Sequence, residues 1–158
     1  MATDLAAMYA AFPRKRIAAG ALLLDRNGQV LVVEPTYKAT WDVPGGVVEE
    51  DEAPRVACRR EVHEELGLDR PVGGLLCVDW VPASAPRTEA LALIFDGGFV
   101  SDDDIAGVVL QVSELASWRF VDRDGLPEVL PVRLARRMAA ALAARRTGQT
   151  VYLEDGRP

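Results

Sequence analysis

The chain has 158 residues, 49% of them apolar and 27% charged, with a net charge of -6 and a pI near 4.8. That length and apolar content suffice for one domain with its own core, without disulfide or metal staples. The acidic balance argues against an electropositive nucleic-acid groove, and no apolar run approaches the length of a membrane span. The start, Met-Ala-Thr-Asp-Leu-Ala-Ala-Met, lacks the charged n-region of a secretory leader, so a cytoplasmic protein is expected. Cys58 and Cys77 have neither redox nor zinc spacing and read as two reduced thiols.

Taken in chain order, Ile17 to Leu24 is an almost unbroken apolar run. Asp25-Arg26-Asn27-Gly28 is a hairpin turn, and Gln29 to Glu34 is the returning strand. Trp41-Asp42-Val43-Pro44-Gly45-Gly46 reads as a short strand ending in a tight double-glycine turn, the backbone a metal or phosphate needs for close approach. Pro54 suits a first helical turn, so a helix is expected from about Ala53 to Leu66, stopped by Gly67. Further strands are expected at Leu75 to Val81, Ala90 to Phe95, Val108 to Val112 and Trp118 to Val121. Val132 to about Arg145, after Pro131, is an amphipathic Ala/Arg-rich helix, and residues 146–158 read as a polar tail, either flexible or completing a contact in a homodimer. No repeat or long linker divides residues 1–158.

The expected helix at 53–66 carries the chemistry. At about 100° per residue Glu61, Glu64 and Glu65 share one face, while Cys58, Val62 and Leu66 form an adjacent apolar stripe. Three glutamates so close repel one another, so at least one should have a raised pKa unless a cation sits among them. A hard divalent ion resolves the conflict, and Mg²⁺ combines a few carboxylates with waters and phosphate oxygens. Arg60, four residues before Glu64, is near enough to orient or partly neutralise the cluster. A bare Glu-x-x-Glu-Glu is usually a solvated face, but the glycines before and after this one argue otherwise.

From Gly46 to Leu68 the pattern is Gly, five residues, Glu52, seven residues, Arg60-Glu61, apolar Val62, one residue, Glu64-Glu65, one residue, Gly67, apolar Leu68. It resembles the Nudix box at every defining position. The resemblance implies an α/β fold, an α/β/α sandwich with a central mixed sheet, in which the box forms a loop, helix, loop that binds divalent metal. It also implies hydrolysis of a nucleoside diphosphate linked to another moiety. Carried over, Glu61, Glu64, Glu65 and the Gly46 carbonyl would be metal ligands for Mg²⁺ or Mn²⁺. Glu52 would orient loop and helix, and Arg60 would hold the glutamates. Glu61 or an acid outside the box would act as base, with Glu114 preferred over Glu89.

Substrate identity is less legible. Trp41, beside Gly45 and the double glycine, is the best placed of three tryptophans to stack on a nucleobase, although buried indoles also anchor cores. Pro82 and Pro86 bracket, without matching, the proline that accompanies ADP-ribose hydrolysis in similar proteins. Nucleotide sugars and modified nucleoside triphosphates therefore rank together as small-molecule partners. His63, the one histidine, occupies a variable box position and reads as exposed. A non-catalytic nucleotide-sensing module is the alternative, weakened because no box glutamate is missing.

Overall fold

A computed structural model describes residues 4–158; the reading of residues 1–3 lies outside them. The first long strands, β1 (Arg16–Leu24) and β2 (Val30–Pro35), meet at Leu24 and Val30 across the expected turn. Beyond that pairing, β3 (Gly45–Val47) pairs antiparallel with β1, placing Gly46 opposite Ala19 and Gly45 opposite Gly20. The double glycine is thus strand, not turn, and the turn comes later, at Glu50 and Asp51.

The sheet is completed by β4 (Leu75–Val81), β5 (Ala90–Phe99), β6 (Leu115–Val121) and β7 (Val151–Glu154). Its order is β6-β2-β1-β5-β4-β7, with β1 parallel to β5, β4 parallel to β7 and the remaining pairs antiparallel. The central strands are covered on both faces, which is why their sequence is continuously apolar rather than alternating. Leu22, Leu24, Val30 and Val32 face helices α4 (Leu126–Val129) and α5 (Val132–Thr147). Ala21, Leu23, Leu31 and Val33 face helix α2 (Pro54–Leu66), whose Ala57, Cys58, Val62 and Leu66 are buried. The mixed sheet with helices on both faces is the expected α/β architecture. Cys58 and Cys77 lie in opposite core clusters, and burial pushes each thiol up to about 12.

Three short helices escaped the sequence reading: α1 (Leu5–Ala10), α3 (Asp102–Ala106) and α4. Asp4 caps α1 and a Ser101–Asp104 capping box opens α3, local signals without apolar periodicity behind them. The strand expected at Val108 to Val112 is absent. The Val109 and Gln111 N–H groups instead donate to the carbonyls of Leu66 and Glu65, so the segment satisfies the last turn of α2 and leaves Val109 and Val112 exposed.

Of the two readings of residues 146–158, the flexible tail is corrected. Helix α5 runs on through Thr147, and β7 then joins the sheet edge with Leu153 buried. Asp79, fully buried on β4, accepts two hydrogen bonds from the Arg137 guanidinium at 2.8 and 2.6 Å and one from the Gly156 N–H at 3.0 Å. Arg133 pairs with Asp155 beside them. One carboxylate therefore ties a strand, a helix and the chain end. Among the described residues no helix is long and apolar enough to cross a membrane.

Removing Asp79 would strand the Arg137 charge in a nearly closed site. Asp79→Ala should cost about 3–5 kcal/mol and lower the melting temperature by roughly 10 °C. A shift under about 2 °C in a thermal melt would show that the tail is not anchored this way.

Candidate active site

Helix α2 starts at Pro54, with Ala53 extended before it, and ends where the Gly67 N–H donates to the His63 carbonyl. Its buried stripe seats it on β1 and β3, so the residues beside the stripe lie at a seam between helix and strand. Glu61, Glu64 and Glu65 sit there at three depths. Glu64 is the most exposed, Glu61 is half-buried against β3, and Glu65 is 7% exposed.

Glycine leaves room where Glu61 meets the strand. A Cβ on Gly46 would lie 2.4 to 2.7 Å from the Glu61 carboxyl atoms and would push that side chain aside. Gly45, at φ 151°, would drive a Cβ to 2.4 Å from the Ala19 carbonyl oxygen. Its N–H donates to Glu65 Oε2 at 3.0 Å, so this amide is directed at the buried carboxylate.

Arg60 organises the outer part of the site. Its guanidinium donates to both Glu52 oxygens at 2.8 and 3.0 Å, to Glu61 at 2.8 Å, to Glu64 at 2.9 Å and to the Val47 carbonyl at 3.2 Å. Glu52 also accepts from the Glu49 N–H at 3.0 Å, which ties the loop to the helix. These bonds, Arg60 foremost, bring the Glu52 carboxyl down to about 2 and drive the Arg60 pKa up.

Glu65 behaves oppositely. Burial first, with the charges of Glu61, Asp42 and Glu114 adding to it against the Gly45 hydrogen bond, raises its pKa to about 8. Burial also raises Glu61, opposed by Arg60 and helped by Glu64 and Glu114. A raised glutamate was expected from crowding; the leading cause is desolvation. Among the described residues, no three Asp, Glu, His or Cys side chains converge into a ready ion cage. The oxygen donors are present but turned toward Arg60 and Gly45.

The other candidates separate cleanly. Glu114 is exposed in the loop before β6, held by the Gln111 amide at 3.3 Å, and its charge reaches Glu61 and Glu65. Glu89 is engaged elsewhere, with Lys15 at 2.5 Å and the Trp80 indole N–H at 3.0 Å. His63 is exposed. Trp41 packs against the core cluster on the α5 face, with the Arg119 guanidinium 4.4 Å from its ring centroid. Sequence reading missed Asp42 as a neighbour of Glu65. Asp42 lies opposite Val33, which faces α2, and is paired with Lys38; only that strand bridge reveals its side of the sheet.

The family model of the NUDIX domain matches residues 14–144. The chain belongs to the Nudix family. An RNA pyrophosphohydrolase of Gluconacetobacter diazotrophicus is 29% identical over 133 residues, 69% of this chain and 78% of that protein. Other curated relatives are matched over 36% to 47% of their length. A MutT protein from Methanosarcina mazei Go1 superposes with a TM-score of 0.67 at 25% identity, over 88% of this chain and all of that one. A UDP-X diphosphatase shares the fold at a TM-score of 0.74 and 18% identity, over 97% of this chain and 75% of that one. Family membership and the pyrophosphohydrolase relative support a hydrolase acting on pyrophosphate bonds, in a family that generally uses divalent metals.

The Glu65 shift has a definite sign. Its folded pKa lies above its unfolded value, so the associated stability is full below about 4.5 and is lost as pH rises through about 8. Thermal melts in chelator should therefore show stability falling between pH 5 and 8, with Glu65→Gln removing much of the slope. Identical slopes in both proteins would contradict the burial of an uncompensated carboxylate.

Proposed function

We propose that the Nudix chain is a divalent-metal-dependent pyrophosphohydrolase cleaving a nucleoside diphosphate linked to another moiety, either a nucleotide sugar such as ADP-ribose or a modified nucleoside triphosphate. Glu65 is the observation that carries this reading. It is a carboxylate in apolar surroundings with one N–H donor and no basic side chain bonded to it, next to two further glutamates on the same helix. A buried charge of this kind is costly until a cation joins it.

The donor set fits a hard divalent ion. Glu61, Glu64, Glu65 and the Gly46 carbonyl offer oxygen ligands alone, which suits Mg²⁺, or Mn²⁺ in its place, with waters and phosphate oxygens filling the shell. When bound, such an ion neutralises pyrophosphate charge and acidifies coordinated water. It also lets a protein of net charge -6 accept a polyanion. The chain's own residues divide the remaining work. Glu52 and Arg60 hold Glu61 and Glu64 at the mouth of the seam, and the Gly45 N–H steadies Glu65. Glu114, on an exposed loop whose charge reaches both glutamates, takes the proton of the attacking water, a role otherwise falling to Glu61. Trp41 and Gly45 lie on the segment that runs along the substrate.

The deciding experiment is a panel of nucleoside triphosphates, nucleotide sugars, dinucleotides and 5′-triphosphorylated RNA, read by released phosphate or monophosphate. Turnover should require Mg²⁺ or Mn²⁺. Nucleotide binding without turnover in any divalent metal would favour the non-catalytic sensing module instead. Glu64→Gln and Glu65→Gln should each lower turnover by about a hundredfold through metal loss; near-normal rates at limiting metal would remove them from the ligand set. Millimolar Mg²⁺ should also raise the melting temperature, because the ion binds the native state alone. An unchanged melting temperature would contradict a site formed before substrate arrives.

A further inference from the structure

The Arg119 guanidinium lies over the Trp41 indole, 4.4 Å from its ring centroid, and the indole is packed in turn against the core cluster that includes Val43 and Leu130. Among the described residues, Arg119 makes no ion pair and no side-chain hydrogen bond, and it is exposed on the edge strand β6. Arg145 stacks comparably on Phe99 at 4.5 Å, but its Nε is bound to both Asp96 oxygens. The other two cations over rings are more distant, at 5.8 and 5.9 Å. Arg119 thus combines close stacking, exposure and free donors.

The pair lies on the α5 face of the sheet and the carboxylate seam on the α2 face, and both halves are near the seam along the chain. Trp41 is five residues before Gly46, which touches Glu61, and Arg119 is five residues after Glu114, whose charge reaches Glu61 and Glu65. Five residues of extended chain cover at most about 18 Å, within the compass of a nucleotide whose phosphates lie at the seam. Trp41 cannot itself offer a bare ring on the side that Arg119 covers. What is exposed there is a delocalised cation 4.4 Å from the indole centroid, and a guanidinium stacks well on aromatic rings.

The geometry points to Arg119, rather than Trp41, as the stacking platform for the substrate's nucleobase, forming a three-layer stack of indole, guanidinium and base. This inference rests on the reading of the chain as a nucleotide hydrolase and adds the residue that grips the base. Because every base has a π face, the platform accepts purines and pyrimidines alike and leaves discrimination to other contacts.

Equilibrium binding of nucleoside monophosphates tests this apart from catalysis, since they contain no pyrophosphate bond. AMP, GMP, CMP and UMP would be titrated in Mg²⁺ against wild type, Arg119→Ala and Arg119→Lys, with ribose 5-phosphate as the base-free probe. Both variants should bind the monophosphates about tenfold more weakly and ribose 5-phosphate as wild type does. Lysine should not rescue, because it restores charge without the plane. Equal loss for ribose 5-phosphate, or full rescue by lysine, would make Arg119 a phosphate contact and overturn the inference. Unchanged monophosphate binding, or none by wild type, would overturn it too. Melting temperatures within about 2 °C of wild type would establish that the variants are folded. A failure to hydrolyse any nucleotide would sink the hydrolase reading without altering these binding outcomes.

Discussion

The cost of ionising carboxylates at a buried seam is the constraint around which this molecule is arranged. Glu61 and Glu65 must leave water because the apolar stripe of α2 draws the helix onto β1 and β3, and their neighbours on that helix are fully buried. Two devices ease the arrangement. Arg60 collects Glu52, Glu61, Glu64 and the Val47 carbonyl into one network, and the Gly45 N–H is turned onto Glu65. Neither device fully compensates Glu65, whose pKa burial still raises to about 8.

The split in the sheet serves the same end. Strand β1 pairs with β2 at its end and with β3 along its first half, and the opening between them admits a glycine strand beside the helix. Had β2 continued alongside β1, side chains would fill the place where Gly46 lets the Glu61 carboxylate approach the backbone. The opposite face is covered by α5, which is secured at its far side by the Asp79–Arg137 pair and by β7. Helices thus cover both faces of the sheet, while the loop bearing Glu114 and the exposed Arg119 lie at its β6 edge. That division suits an enzyme that must keep its carboxylates fixed and still admit a substrate.

Much of the fold was legible locally. The buried runs of β1, β2, β4 and β5, and the two long helices, follow from apolar content, proline placement and helix formers. Failures came where a segment's partner lay far away. Val108 to Val112 has the composition of a strand, but its N–H groups are taken by the end of α2. Residues 146–158 look polar and free, yet a buried aspartate on β4 captures Gly156. The double glycine looked like a turn because glycines usually mark turns; here they serve close packing within a strand.

The amino-acid pattern by itself determined the family and the order of acids along one helix. Spacing along one helix sets three glutamates on a common side, and the order of glycine, Glu52, Arg60 and the carboxylates is covalent information that no packing alters. Only tertiary structure decided how each acid behaves, because burial and charge neighbours are properties of what is brought alongside. The same spacing leaves Glu64 exposed, half-buries Glu61 and lifts Glu65 to about 8. It also decided that Trp41 lies beneath an arginine from another strand. Side-chain identity travels with the chain, whereas dielectric surroundings and stacking partners come from residues distant in sequence.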